Sequence, residues 1–174
     1  KTPMINSISA EPERVEKILP LAAEHGCEVI ALAMDETKIP ETFEKRMEVI
    51  EKVIGYTREA GIPDDKVYVD PLAMTIATVT QSAVIACDTI RATHEQFPGV
   101  HFTMGLSNIS YGLPARKQVN RAFLTLAMQA GLDSAILNPL DKELRAAIVT
   151  TEMLLGRDRF CMNYLKASRS GLFD

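Results

Sequence analysis

The 174-residue sequence contains no tryptophan, only three histidines and three cysteines, and 6% aromatic side chains. Each scarcity removes a class of function. Cys27, Cys87 and Cys161 are far apart and odd in number, and none has CxxC or Cys/His metal-ligand spacing. They read as reduced thiols of a cytoplasmic protein. His25 falls at a helix end, His94 within a helix and His101 at the start of a strand. A Ser/His/Asp triad therefore has no base, and a zinc or iron site has no ligand set. Basic runs are absent and the net charge is −4, so nucleic acid is not an expected partner. Apolar stretches stay well short of the ~18 residues needed to span a membrane. No signal-peptide pattern is present. GxGxxG and GxxxxGK[ST] are also missing, which removes the usual dinucleotide and nucleotide phosphate loops.

What is present is a repeat of one pattern, within a globular composition of 47% hydrophobic and 24% charged residues. Apolar strands are predicted at 3–9, 27–34, 66–72, 100–107 and 134–140. Helices are predicted after them, at about 11–25, 41–60, 76–94 and 115–130, with two more near 141–155 and 158–168. Gly26, Gly61, Gly99 and Gly131 precede successive strands at intervals of roughly 35 residues, the length of one βα unit. The strands are near-continuous apolar runs, which argues for parallel strands covered on both faces. The fold is read as α/β, with right-handed βα units.

Every predicted strand ends in a carboxylate, carboxamide or hydroxyl: Asn6 and Ser7, Asp35, Asp70, Ser107 and Asn108, then Asn138. A barrel uses the carboxyl ends of its strands in this way, whereas turns and caps alone also favour such residues. Five strands do not close a barrel of ~8. With Lys1 at the start and an apolar strand from Pro3, the chain is read as about the last five units of a (β/α)8 barrel. Residues 1–174 are taken as one barrel domain, truncated at its N-terminus.

Two carboxylates among carboxamides suit the edge of a flat heterocycle such as a pterin or purine. Asp70 could accept from a ring N–H and an exocyclic amine together, and Asn6 and Asn108 can each donate and accept. A glycosidase-type pair, Asp35 with Asp70, stays open at this level.

The segments INSIS (5–9), ALAMDETKIP (31–40), VYVDPL (67–72), GLSNISYGLPARKQVNRAFL (105–124) and AGLDSAI (130–136) carry a resemblance. Together they resemble the pterin-binding methyltransferases, above all the branch that acts with corrinoid proteins. The resemblance implies a (β/α)8 TIM barrel that binds tetrahydrofolate or 5-methyltetrahydrofolate, with cobalamin carried by a partner corrinoid protein. It implies a homodimer. It places Asn6 and Asp70 at the pterin edge, Asn108 at N5 as the catalytic residue, and Ser107 close by. Asp35 lines the site. Arg116 meets the glutamate tail or the corrinoid partner, or is a plain surface residue. Tyr111 stands where some members have an amide. Dihydropteroate synthases would show a Gly-rich segment after Asp-Pro, where this chain has VDPLAMTI. A synthase-like enzyme and a non-catalytic barrel fragment are the alternative readings.

Overall fold

A computed structural model describes residues 2–36 and 39–174. Four parallel strands form one sheet in sequence order: β1 (Met4–Ile8), β2 (Glu28–Leu32), β3 (Val67–Asp70) and β4 (His101–Phe102). Helices α1 (Pro12–Glu24), α2 (Phe43–Glu59) and α3 (Ser82–Gln96) form the crossovers between them. Then come α4 (Arg116–Ala130), α5 (Lys142–Leu154) and α6 (Met162–Arg169). The helix starts follow local chemistry. Pro12 opens α1, Thr42 Oγ1 accepts from Lys45 N at 3.3 Å, and Asp141 Oδ1 accepts from Leu144 N at 3.1 Å.

Register divides the sheet into two faces. Asn6 pairs with Ile30, Ile30 with Tyr68, and Tyr68 with His101. Side chains alternate along a strand, so Leu32 and Asp70 share their face. The opposite face, with Val29, Ala31, Val67, Val69 and Phe102, is buried under the helices. Each of the valine and phenylalanine side chains among them contributes about 1.5–3 kcal/mol when fully covered. A register shift between Asn6 and Ile8 pairs Ile8 with Ala31. It lets Ile8 enter the helix-side core while Asn6 stays on the other face.

Two predicted elements differ from what is found. The third helix starts at Ser82, not near 76. Thr75, Thr78, Val79 and Thr80 are β-branched, and the Thr hydroxyls bond local backbone instead of continuing a helix. The freed segment braces its neighbour: Ile76 N donates to Ile109 O, and Thr75 Oγ1 to Tyr111 O at 2.6 Å. The predicted fifth strand, 134–140, is reduced to a short extended stretch beside β4. Ser134 N donates to Phe102 O, Ile136 N to Met104 O, and Leu106 N to Ile136 O, with one parallel bridge, Gly105 to Ile136. Beyond it Asn138 Oδ1 accepts from Leu140 N at 3.0 Å, which turns the chain into α5. Asn138 thus serves its own turn.

Cys27 and Cys87 are buried and Cys161 is exposed, all three unbridged. No helix among the described residues is long and apolar enough to cross a membrane. None of the described His, Cys, Asp or Glu residues cluster as a metal site. The histidines stand apart from the carboxyl ends of the strands. His101, at the amino end of β4, stacks on Tyr68 and lies 2.7 Å from Asp133.

Candidate functional site

The site is built on the segments that leave β3 and β4. Asp70 closes β3, and its Oδ1 accepts from Leu72 N at 2.8 Å. Leu72 is held at φ 56, a left-handed conformation that costs a branched residue about 1 kcal/mol. Burial pushes the Asp70 carboxyl up to about 6, against the Leu72 and Gly105 N–H groups and the Arg46 charge, which favour ionisation. The group therefore changes charge just below physiological pH.

Beyond β4 the chain tightens into a 3-10 turn, Leu106–Ser110. Leu106 and Ile109 anchor it in the core, while Ser107 and Asn108 remain exposed. The Asn108 carboxamide has no hydrogen-bond partner among the described residues. Its Nδ2 lies 3.2 Å from where a Cβ on Gly105 would stand. This close approach explains the glycine, whose φ of −74 any residue could adopt. Gly105→Ala should displace the Asn108 amide and weaken any function of Asn108 by roughly tenfold, with a small change in unfolding midpoint. Paired activity and urea-melt measurements check this.

Arg116 opens α4 and is spent on the same turn. Its Nε donates to Ser110 Oγ at 3.0 Å and its Nη2 to Ser107 O at 2.7 Å. Its guanidinium also lies 5.9 Å from the centre of the exposed Tyr111 ring. The side chain holds the Asn108 turn in shape.

Gly105 is the common neighbour of two predicted residues: its N–H favours the Asp70 carboxylate, and its Cα abuts the Asn108 amide. Asn6 lies on the face that Asp70 shares, two strands away and exposed. In a tilted (β/α)8 barrel, layer mates on alternate strands are offset by about two residues, the step from Tyr68 to Asp70. Asp35 comes after β2, is half-buried, and its charge reaches Lys45. Thr37 and Lys38 of the ALAMDETKIP segment lie outside the described residues. Ser107 lines a different hollow, of about 240 Å³, with Asn120, Asn138 and Asp141.

Arg46 is the residue the sequence reading missed. It is fully buried on α2, between Phe43 and Ile50 on the helix's apolar phase. Charge hides it in a composition reading, but a lone arginine at an apolar-repeat position is the signal that could have found it.

Parallel βα units with polar residues at the strands' carboxyl ends define a partial (β/α)8 barrel. Residues 2–138 match the family of pterin binding enzymes. The chain is 37% identical over 173 residues to a methylcorrinoid:tetrahydrofolate methyltransferase of Eubacterium limosum, covering 98% of this chain and 64% of that one. It is 40% identical over 147 residues to methionine synthase of Mycobacterium leprae (strain TN), covering 78% of this chain and 12% of that one. A dihydropteroate synthase structure from Yersinia pestis superposes with a TM-score of 0.66 at 18% identity, over 88% of this chain and 64% of that one. That likeness is one of fold. The chain belongs to the pterin binding enzyme family, and it spans less than two thirds of the length of the relatives it matches.

Proposed function

We propose that this protein moves a methyl group between N5 of tetrahydrofolate and the cobalt of a corrinoid carried by a partner protein. The observation that carries this reading is the 37% identity to a methylcorrinoid:tetrahydrofolate methyltransferase over nearly the whole chain. The donor set fits such a substrate. Asp70, ionised at neutral pH, accepts from the pterin's ring N–H and exocyclic amine, a charge-assisted pair. Asn6 completes the pterin edge. Asp35 lines the rim and Arg116 braces it through the turn it holds, while Ser107 contributes its carbonyl to that brace and faces the neighbouring hollow.

The corrinoid supplies the cobalt that gives or takes the methyl group. This chain's task is to bind the folate, orient N5 and meet the charge that develops there. A tertiary amine leaves poorly unless N5 gains positive character or a proton. Asn108 is neutral and cannot supply that proton. Its carboxamide hydrogen-bonds N5 more strongly as protonation proceeds, which is differential stabilisation of the transition state. The three unbridged cysteines support a cytoplasmic setting, and the family resemblance supports a homodimer.

The test is methyl transfer between 5-methyltetrahydrofolate and reduced cobalamin on the full-length protein, followed by cobalamin absorbance. The expected result is enzyme-dependent transfer and no turnover of pterin pyrophosphate with p-aminobenzoate. Turnover of the latter pair without methyl transfer would establish the synthase-like alternative.

A further inference from the structure

A guanidinium with no exposed surface needs a reason, because removing the charge from water costs several kcal/mol unless its donors are used. Arg46 uses them on backbone oxygens. Nε donates to Pro40 O at 2.9 Å, and Nη1 donates to Leu72 O at 2.9 Å and to Pro71 O. Pro40 belongs to the β2–α2 loop that carries Asp35, and Pro71 and Leu72 to the turn behind Asp70. One side chain therefore ties together two loops at the carboxyl end of the sheet. Nη2 is buried with no hydrogen-bond partner among the described residues, so the arginine is held there at a cost.

Building on the folate reading, we propose that Arg46 is a positioning residue of the pterin site, clamping the Asp70–Leu72 turn in the form that presents the Asp70 carboxylate. Leu72 occupies its left-handed conformation between two restraints. Asp70 Oδ1 takes its N–H and Arg46 Nη1 takes its carbonyl. Strained residues persist where the surroundings over-determine them. Arg46 also favours the ionised form of Asp70. The groups facing Asp70 are Arg46 from α2, the Leu72 N–H from its own turn and the Gly105 N–H from the segment after β4.

The test uses the full-length protein with Arg46→Lys, Arg46→Met, Leu72→Gly and the double variant Arg46→Lys/Leu72→Gly. Two readouts are taken on variants that fold by circular dichroism. One is the affinity for 5-methyltetrahydrofolate by calorimetry. The other is the titration midpoint of the Asp70 carboxyl by carbon-13 NMR in the ligand-free protein. Arg46→Lys keeps a charge but loses the planar fork. It should weaken binding by roughly tenfold, and adding Leu72→Gly should recover part of that loss, since glycine adopts the turn without strain. Arg46→Met should raise the Asp70 midpoint above the wild-type value. If it fails to fold, Arg46→Lys and its rescue decide. Wild-type affinity and an unchanged midpoint in folded Arg46 variants would overturn the proposal, as would an Arg46→Lys defect that Leu72→Gly leaves untouched. If the wild-type protein binds no folate, the functional reading fails. The ligand-free titration still decides the role of Arg46, because Arg46→Lys should also shift the Asp70 midpoint by loosening the turn, and Leu72→Gly should restore it.

Discussion

Asn108→Ala should lower methyl transfer by roughly 100-fold or more, with little change in folate affinity or the unfolding midpoint. The size follows from what one preorganised donor contributes when charge develops, about 2–4 kcal/mol in acyl-transfer sites. The small structural effect follows from the residue's surroundings. Asn108 is exposed on a turn anchored by Leu106 and Ile109, and its carboxamide bonds to nothing among the described residues. Truncation leaves no buried group unsatisfied, so stability should move by no more than about 0.5 kcal/mol. Single-turnover rates separate this outcome from a binding defect. A slower chemical step at unchanged affinity marks an interaction made only in the transition state. An unchanged rate would remove Asn108 from the chemistry.

Asp70→Asn should have an effect as large and of opposite sign on two properties. Binding falls by about 100-fold or more, because the amide replaces one acceptor with a donor that faces a donor on the pterin. Stability at pH 7.5 rises. The sign follows from the direction of the shift: the carboxyl's ordinary value is 3.8 and its value in the folded protein is about 6. The folded state therefore holds the proton more tightly than the unfolded chain does. Stability from this group is complete below pH 3.8 and is lost as the pH rises through 6, where the ionised form must stay buried. That loss is roughly 3 kcal/mol at neutral pH, an upper figure for a group that keeps some solvent contact. Asparagine avoids it and can still accept from Leu72 N. Urea unfolding of both proteins should show the variant's advantage at pH 7.5 shrinking below pH 6 and vanishing near pH 4. A variant that is less stable at every pH would mean that the charge is compensated. In the wild type, folate affinity should fall as the pH drops through 6.

The two variants express one trade-off. On the proposed reading, the carboxylate that grips the heterocycle is held where its charge is expensive, and the turn behind it is strained. Preorganisation has this cost at many sites.

Much of the frame was legible in the primary structure because it rests on short-range rules. Apolar runs such as VIALAM and KVYV become buried parallel strands. The Pro12 start and the Thr42 and Asp141 caps lie where composition points. Gly105 is tight against Asn108, a contact within the chain that the spacing of the segment alone does not reveal. What escaped depends on partners distant in the chain. The register shift after Asn6 is set by which neighbour Ile8 meets in the core, not by the residues INSIS alone. The 76–81 segment reads in the sequence as the start of the third helix, but its β-branched threonines and the neighbouring 106–111 turn recruit it as a brace. The fifth strand is short because Asn138 bonds into its own loop. Arg46 escaped because a charged letter on an apolar phase reads as surface until the carbonyls it meets, 6 to 26 residues away, are known.

The proposed convergence of strand tips on one folate ring is tested most directly by titrating 5-methyltetrahydrofolate into isotope-labelled full-length protein. The side-chain amide signals of Asn6 and Asn108 and the carboxyl signal of Asp70 are followed together. The account predicts that all three move along a single binding curve, with the Asp70 carboxyl held ionised well below pH 6 in the complex. Saturation of one of these signals while another stays still would contradict it.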